Sequence, residues 1–397
     1  MHMTSDQRRQ AIQLAVLTLI HATVDMFGGM LPALLPEIRR HFGLSLAAGI
    51  GLLSVLNLFS NSVQIATGHL RARNPRPFFI PTGALLATLL VLMALLPGGA
   101  PGRPWLFLLA AIGGCGIAVV HPEGLRAVHA LDRLPGALST SVFMTGGFLG
   151  FAGGAWVATM LVSHFGLPGL QWLALFAAVG LIAFYILPPR LAVEPDPDLE
   201  PAPVDPRAPP VAAHVSFWQV LLIAIPAAIG STLIASLLPT RLNELHFTLT
   251  HGGFASLAFG VGSAAGSLGW AIIARRRGEL TCITIGLLSG VPILIMFLLL
   301  IKFSLALILL MAGGACAGSA YPLLVALARR TSGPILGTRM ALMVGGTWGT
   351  ASILLLALGP VAERWGSQPL LFLAVIAFFV SGLLARRLRA MEQLAMR

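Results

Sequence analysis

Of 397 residues, 57 % are hydrophobic and 10 % are charged, and the formal net charge is +11. A soluble domain carries roughly 25 % charged residues, so a water-soluble fold is excluded for want of polar surface. The basic residues sit in short clusters between apolar runs, which argues against nucleic acid, and Cys115, Cys282 and Cys316 are isolated within apolar segments, which excludes a disulfide framework or a metal knuckle.

In chain order, the first apolar run covers 10–31 and carries His21 and Asp25. It lacks a small-residue cleavage site and reads as a retained span. Further runs of about 20 residues, the length a bilayer requires, follow at 47–68, 77–97, 104–128, 134–160 and 168–188. The second holds a polar stripe of Asn57, Asn61 and Gln64, and the fourth holds His121, Glu123 and Arg126. The fifth has Gly146, Gly150 and Gly154 in a smooth ridge. Residues 189–215 break the pattern with eight prolines and five acids, a composition that reads as a loose linker. Six more runs, at 217–239, 251–273, 280–301, 304–328, 334–358 and 367–385, complete the chain. Barrel strands would alternate apolar and polar residues, and these runs are continuous. The expectation is an all-α integral membrane protein of twelve spans, with bundles at 1–188 and 216–397 joined by the linker.

Basic residues set the orientation. With both termini cytoplasmic, the outer loops hold Arg39, Arg40, Arg103, Arg241, Lys302 and Arg364, and Arg126 and Arg339 lie within spans. Of 25 Lys and Arg, that leaves 17 inside. A multi-pass protein of a bacterial inner membrane, with its linker cytoplasmic, is expected.

The two halves repeat. Gly113-Gly114 stands before His121-Pro122 as Gly313-Gly314 stands before Tyr321-Pro322, at an offset of 200. Gly146-Gly147 and Gly150 match Gly345-Gly346 and Gly349 at an offset of 199, and His41 to Ser45 matches His246 to Thr250. Two parallel repeats of six spans suit an alternating-access transporter with its site between the halves near the midplane.

On these residues the chain resembles the major facilitator superfamily, and within it the bacterial fosmidomycin resistance protein family of efflux transporters. Val120-His121-Pro122-Glu123, with His21 and Asp25, carries the closer likeness. Span 5 resembles the superfamily's antiporter motif from Gly146 to Gly154, one residue short and with Phe151 for the usual proline. The loop motif is reduced to Gly68-His69-Leu70-Arg71-Ala72-Arg73, with Ala72 in place of its aspartate, and its copy near Gly269 and Arg275 to Arg277 also lacks the acid. The resemblance implies the major facilitator fold with two pseudo-symmetric six-helix bundles, spans 1, 4, 7 and 10 lining the cavity, and a phosphonate drug as substrate for the subfamily.

An ionisable side chain within a span is a functional candidate by default. Asp25 lies near mid-bilayer, and His21, four residues earlier, shares its face. Proton coupling with His21 tuning the carboxylate is one reading, and a structural pair is the other. Glu123 joins the proton-coupling candidates, although at i and i+3 it and Arg126 also suit a mutual ion pair. Arg339 has no acid in its span, and its repeat mate is Thr140. Arg126 and Arg339 together suit bidentate binding of a phosphonate, phosphate or carboxylate. His121 and Tyr321, in equivalent places, and Asn57 and Asn61 complete the candidate substrate site, with packing or kink support as the competing role. Trp105, Trp172, Trp218 and Trp365 fall near span ends as interface anchors.

The chemistry of an integral membrane enzyme needs convergent nucleophile, acid–base or metal groups, and the sequence lacks such a set. A channel would favour several chains around a pore. The expected function is therefore proton-coupled export of a small anionic or zwitterionic compound by alternating access, and the alternative is proton-coupled uptake of an organic or phosphorylated anion. The expected partners are the substrate, protons and membrane lipid, with a monomer acting alone. No nucleic acid, cofactor or metal is called for.

Overall fold

The structure is a computed structural model describing residues 4–70, 74–134, 136–192, 212–334 and 336–395. Eleven helices among these are long and apolar enough to cross a membrane. They are α1 (Ser5–Phe42), α2 (Leu46–Thr67), α4 (Ala100–His129), α5 (Ser139–Phe165), α6 (Leu167–Ile186), α7 (Phe217–Glu244), α8 (Leu249–Arg277), α9 (Glu279–Leu299), α10 (Ala306–Arg330), α11 (Thr338–Ala357) and α12 (Gln368–Leu394). The expected third span is the shorter apolar helix α3 (Phe79–Leu95), which tightens to a 3₁₀ helix from Leu89 onward.

α1 is longer than the run that predicted it. Its 38 residues continue through Pro32 and Pro36 to Phe42, although each proline removes one intrahelical donor. Burial of the apolar residues from Phe27 to Leu35 holds the segment straight enough to continue. A capping box of Thr4 and Gln7 starts α1, and Gly43, at φ +62°, ends it by donating its N–H to Arg39 O. The matching loop of the second half closes differently. There His246 takes the left-handed backbone at φ +66°, and Thr248 caps α8 by accepting from His251 N.

α1 packs on α4, α5 and α6, α2 and α3 pack on α4, and in the second half α7 and α9 pack on α12 while α8 packs on α10. Contacts across the halves run from α5 to α8, from α2 to α11 and from α1 to α7. The repeated glycine pairs do the same work in each half. A Cβ on Gly114 would lie 2.5 Å from Leu56 O of α2, and one on Gly314 would lie 2.4 Å from Phe259 O of α8. Similarly, Gly113 meets Leu90 of α3 and Gly313 meets Leu294 of α9. Glycine there lets backbones approach closely where lipid gives no hydrophobic drive for association. Trp105, Trp172, Trp218 and Trp365 are all exposed.

Two details depart from the sequence reading. The ends of the 189–215 segment are held, with Leu191 N donating to Pro75 O and Ala192 N to Arg126 O. At its other end strand β1 (Ala212–Ser216) pairs in parallel with β2 (Thr331–Ser332), so among the described residues the fold is all-α apart from this pair. Residues 193–211 of the linker, and Arg71, Ala72 and Arg73 of the loop motif, lie outside the described residues.

Candidate functional site

Asp25 sits 20 residues from the start of α1 and 17 from its end. The i and i+4 spacing brings His21 Nε2 to 3.3 Å from Asp25 Oδ2. The second neighbour comes from α4, where His121 Nε2 lies 3.2 Å from Asp25 Oδ1. One carboxylate therefore stands between two imidazoles whose rings meet edge-on, with centroids 4.9 Å apart. His21 is 2 % exposed, whereas the Asp25 and His121 side chains are 18 % and 22 % exposed, so the centre is open on one side.

Backbone carbonyls fix both rings. His21 Nδ1 is 2.8 Å from Phe143 O of α5, and its ring stacks on Phe143 at 4.1 Å. His121 Nδ1 is 2.7 Å from Ile117 O one turn back, just before the helix passes Pro122. α5 packs behind His21 and Asp25 with Gly147, where a Cβ would lie 2.4 Å from His21 Cε1 and 2.5 Å from Asp25 Oδ2. Sequence reading had assigned His121 to the substrate set and had met Gly147 only as a member of the repeat. No spacing within one helix reveals a contact between α1 and α4. The single pointer was the resemblance, which puts spans 1 and 4 on one cavity.

The other candidates occupy different places. Glu123, 2 % exposed, caps the start of α3, its Oε2 accepting from Phe79 N at 2.6 Å and Ile80 N at 3.1 Å. A carboxylate there meets the positive end of the helix dipole. Arg126 ties the end of α4 to the chain on either side, donating to Ala192 O at 2.8 Å and Asn74 O at 3.0 Å. Arg339 donates through Nη1 to Ala328 O at 3.3 Å and to Thr331 O, the carbonyls where α10 ends. Its Nε is buried without a partner among the described residues.

Tyr321 is buried, and its hydroxyl donates to Met343 O and meets Thr347 Oγ1 at 2.7 Å, joining α10 to α11. Its ring lies 4.9 Å from that of Trp348. The repeat mates thus diverge: His121 reaches α1, and Tyr321 reaches α11. Short π-helical turns at Gly314–Gly318 and Leu342–Gly346 accompany this contact, and neither was foreseen. Side chains satisfy the carbonyls these turns free, with Trp270 Nε1 donating to Ala315 O at 2.9 Å. Asn61 Nδ2 donates to Asn57 O at 2.7 Å, and a Cβ on Gly345 of α11 would lie 2.9 Å from Asn61 O, so the polar stripe lies at the contact between α2 and α11.

A model of the Major Facilitator Superfamily matches residues 17–334. Among curated relatives, the uncharacterized MFS-type transporter YfnC of Bacillus subtilis is 26 % identical over 170 residues, and the fosmidomycin resistance protein of Escherichia coli is 28 % identical over 170 residues. Each match covers 43 % of this chain and 41 % of the relative. The fold is similar to a bacterial homolog of the human lysosomal transporter Spinster in its inward-facing, unoccupied conformation, at TM-score 0.65 and 17 % identity over 96 % of this chain and 98 % of that one. The inward-facing, occupied form matches at TM-score 0.63 and 19 % identity, over 98 % of this chain and 97 % of that one. With its membrane-crossing helices and a family model spanning most of its length, the chain belongs to the Major Facilitator Superfamily and is a multi-pass membrane protein.

Proposed function

We propose that this transporter couples proton movement to the export of a small anionic or zwitterionic compound by alternating access. The observation that carries the reading is the Asp25 carboxylate, held between two imidazoles midway along α1 and open on one side. Such a group is too costly to keep in a membrane for packing alone. Of the sequence candidates, Asp25 and His21 are its proton carriers, and Glu123 serves α3 instead. Arg126 and Arg339 supply positive charge for an anionic substrate near the ends of α4 and α10. α3 is the short member of twelve spans, which form two six-helix bundles, 1–188 and 216–397, in a bacterial inner membrane with both termini inside. The chain works as a monomer.

Inter-half contact favours a conformation closed at the end that holds the loop between α1 and α2. There Ala47 N donates to Glu363 Oε2, and Thr159 of α5 packs against Gly253 of α8. That end is the outer one under the positive-inside split of the basic residues.

Reconstituted vesicles with an imposed pH gradient test the reading, with fosmidomycin as the first probe because a relative bears its name. The native protein should move a substrate uphill against the proton gradient, and Asp25→Asn should lose this while still binding. Full proton-driven accumulation by Asp25→Asn would remove the carboxylate from the mechanism. Accumulation in the same direction as the protons would instead favour uptake.

A further inference from the structure

The two histidines of the centre are fixed by their Nδ1 atoms, 2.8 Å from Phe143 O and 2.7 Å from Ile117 O. A carbonyl oxygen only accepts, so both Nδ1 atoms carry hydrogen. A neutral imidazole has one ring proton. In their neutral forms, then, both Nε2 atoms are bare lone pairs, and both are aimed at Asp25. They address different oxygens, Oδ2 at 3.3 Å and Oδ1 at 3.2 Å. A lone pair facing a carboxylate oxygen at this distance is repelled, and a proton placed between them turns the contact into a charge-assisted hydrogen bond. Two such contacts exist, on separate oxygens, and neither can borrow the other's proton without leaving its own pair bare.

We propose that His121 is a second proton carrier and that Asp25, His21 and His121 together load two protons from water, one in each Nε2···O contact. This rests on the coupling role given above to the same centre. The charge of the centre runs from −1 when empty, through zero, to +1 when full. In the half-loaded state one imidazole still turns a bare nitrogen toward the carboxylate. A second proton relieves that contact, and so does separation of α4 from α1. Loading therefore draws the two helices together. An anion in the open side of the centre meets attraction after loading and repulsion before it.

The groups around the triad leave the two protons to it. α5 presents the Phe143 carbonyl and the side-chain-free Gly147. α4 adds Arg103 at its start and Cys115, Glu123, Arg126 and His129, of which Arg103 bonds to the carbonyls of Phe42 and Gly43, Glu123 to the amides of α3 and Arg126 to the carbonyls of Asn74 and Ala192. On α1 the remaining ionisable groups stand at its two ends, from Asp6 to Arg9 and from Glu37 to His41. Between residues 46 and 67, α2 has none. Those of α5 (His164), α6 (Tyr185), α7 (Arg241, Glu244) and α8 (His251 and Arg275 to Arg277) also stand near helix ends, and α3 has none.

The test is nitrogen NMR of the full-length protein in lipid nanodiscs, with ¹⁵N in the histidine rings and His21→Gln and His121→Gln used to assign the signals. At alkaline pH both residues should be neutral with hydrogen on Nδ1, the less common tautomer of free histidine. On acidification each should gain one proton on Nε2, two per chain. A neutral tautomer with hydrogen on Nε2 at either residue would overturn the proposal. So would one imidazole that stays neutral throughout the pH range in which the protein remains folded, while the other loads. If either glutamine variant fails to fold, His21→Asn and His121→Asn serve for assignment. A one-proton result with inactive Asp25→Asn defeats the two-proton count and leaves coupling at Asp25 standing. A two-proton result with fully active Asp25→Asn does the reverse.

Discussion

Glu363, just before α12, accepts a hydrogen bond from the backbone N–H of Ala47 at 2.7 Å, joining residues 316 apart in the chain. Ala47 lies in the first turn of α2, so the carboxylate meets both an orphan amide and the positive end of the helix dipole. Ser45 meanwhile serves the next amide, Ala48 N, at 3.1 Å. Gly359 lies alongside, where a Cβ would come to van der Waals contact with Ala47 Cα at 3.5 Å.

This bond exists only while the two halves meet at that end. Glu363→Ala should therefore weaken the described conformation by about 1 kcal/mol, the usual worth of a helix cap, which is roughly fivefold in its population. Spin labels on α2 and α11 read the shift as a longer distance distribution. Glu363→Gln keeps the acceptor and should fall between the two. An unchanged distribution in Glu363→Ala would mean that packing alone holds the end shut.

Gly147→Ala should disable the centre without unfolding the protein. The added methyl would lie 2.4 to 2.7 Å from side-chain atoms of His21 and Asp25, which can rotate away more easily than a backbone can. The cost to stability should be about 1–3 kcal/mol, the range for overpacking. Transport should fall much further than thermal stability in detergent. Native-like uphill transport would show that the triad tolerates separation.

Glu123 offers a different balance. Its Oε2 serves two amides of α3, so Glu123→Ala strands both donors in a buried place. The expected loss is about 1–3 kcal/mol for a buried unsatisfied group. Glu123→Gln retains one acceptor and should recover part of it. The check is thermal unfolding, alongside the pH dependence of transport. A changed pH dependence with unchanged stability would return Glu123 to the proton pathway.

Arg339→Lys separates charge from geometry. Arg339 reaches Ala328 O and Thr331 O through Nη1 alone, contacts that one ammonium nitrogen can repeat, whereas bidentate binding of an anion needs the planar fork. Weaker binding of an anionic ligand with native stability would support a substrate role. Lost stability with native affinity in the surviving fraction would make Arg339 a clamp on the end of α10. Ligand-induced thermal shifts, with phosphonates, sugar phosphates, organic acids and cationic drugs as probes, distinguish the outcomes.

Sequence alone determined what depends on one helix at a time. Apolar runs of bilayer length located the membrane helices, since the bilayer imposes that length on any segment crossing it. The i and i+4 spacing already paired His21 with Asp25. The glycine pairs of spans 4 and 10 declared their shared role, because a repeated fold needs close approach at repeated places. Tertiary structure decided everything that depends on which faces meet. His121 gained Asp25 as a neighbour only when α4 packed beside α1 with Gly147 behind. The i and i+3 spacing of Glu123 and Arg126 is visible in sequence, whereas the contact of Glu123 with the start of α3, 44 positions away, is not. Arg339 looked unpaired for the same reason, its partners being the backbone carbonyls of Ala328 and Thr331. Side-chain spacing is written along the chain. The orphan amides and carbonyls at helix ends, which captured Glu123, Arg339 and Glu363, take their positions only when the helices assemble.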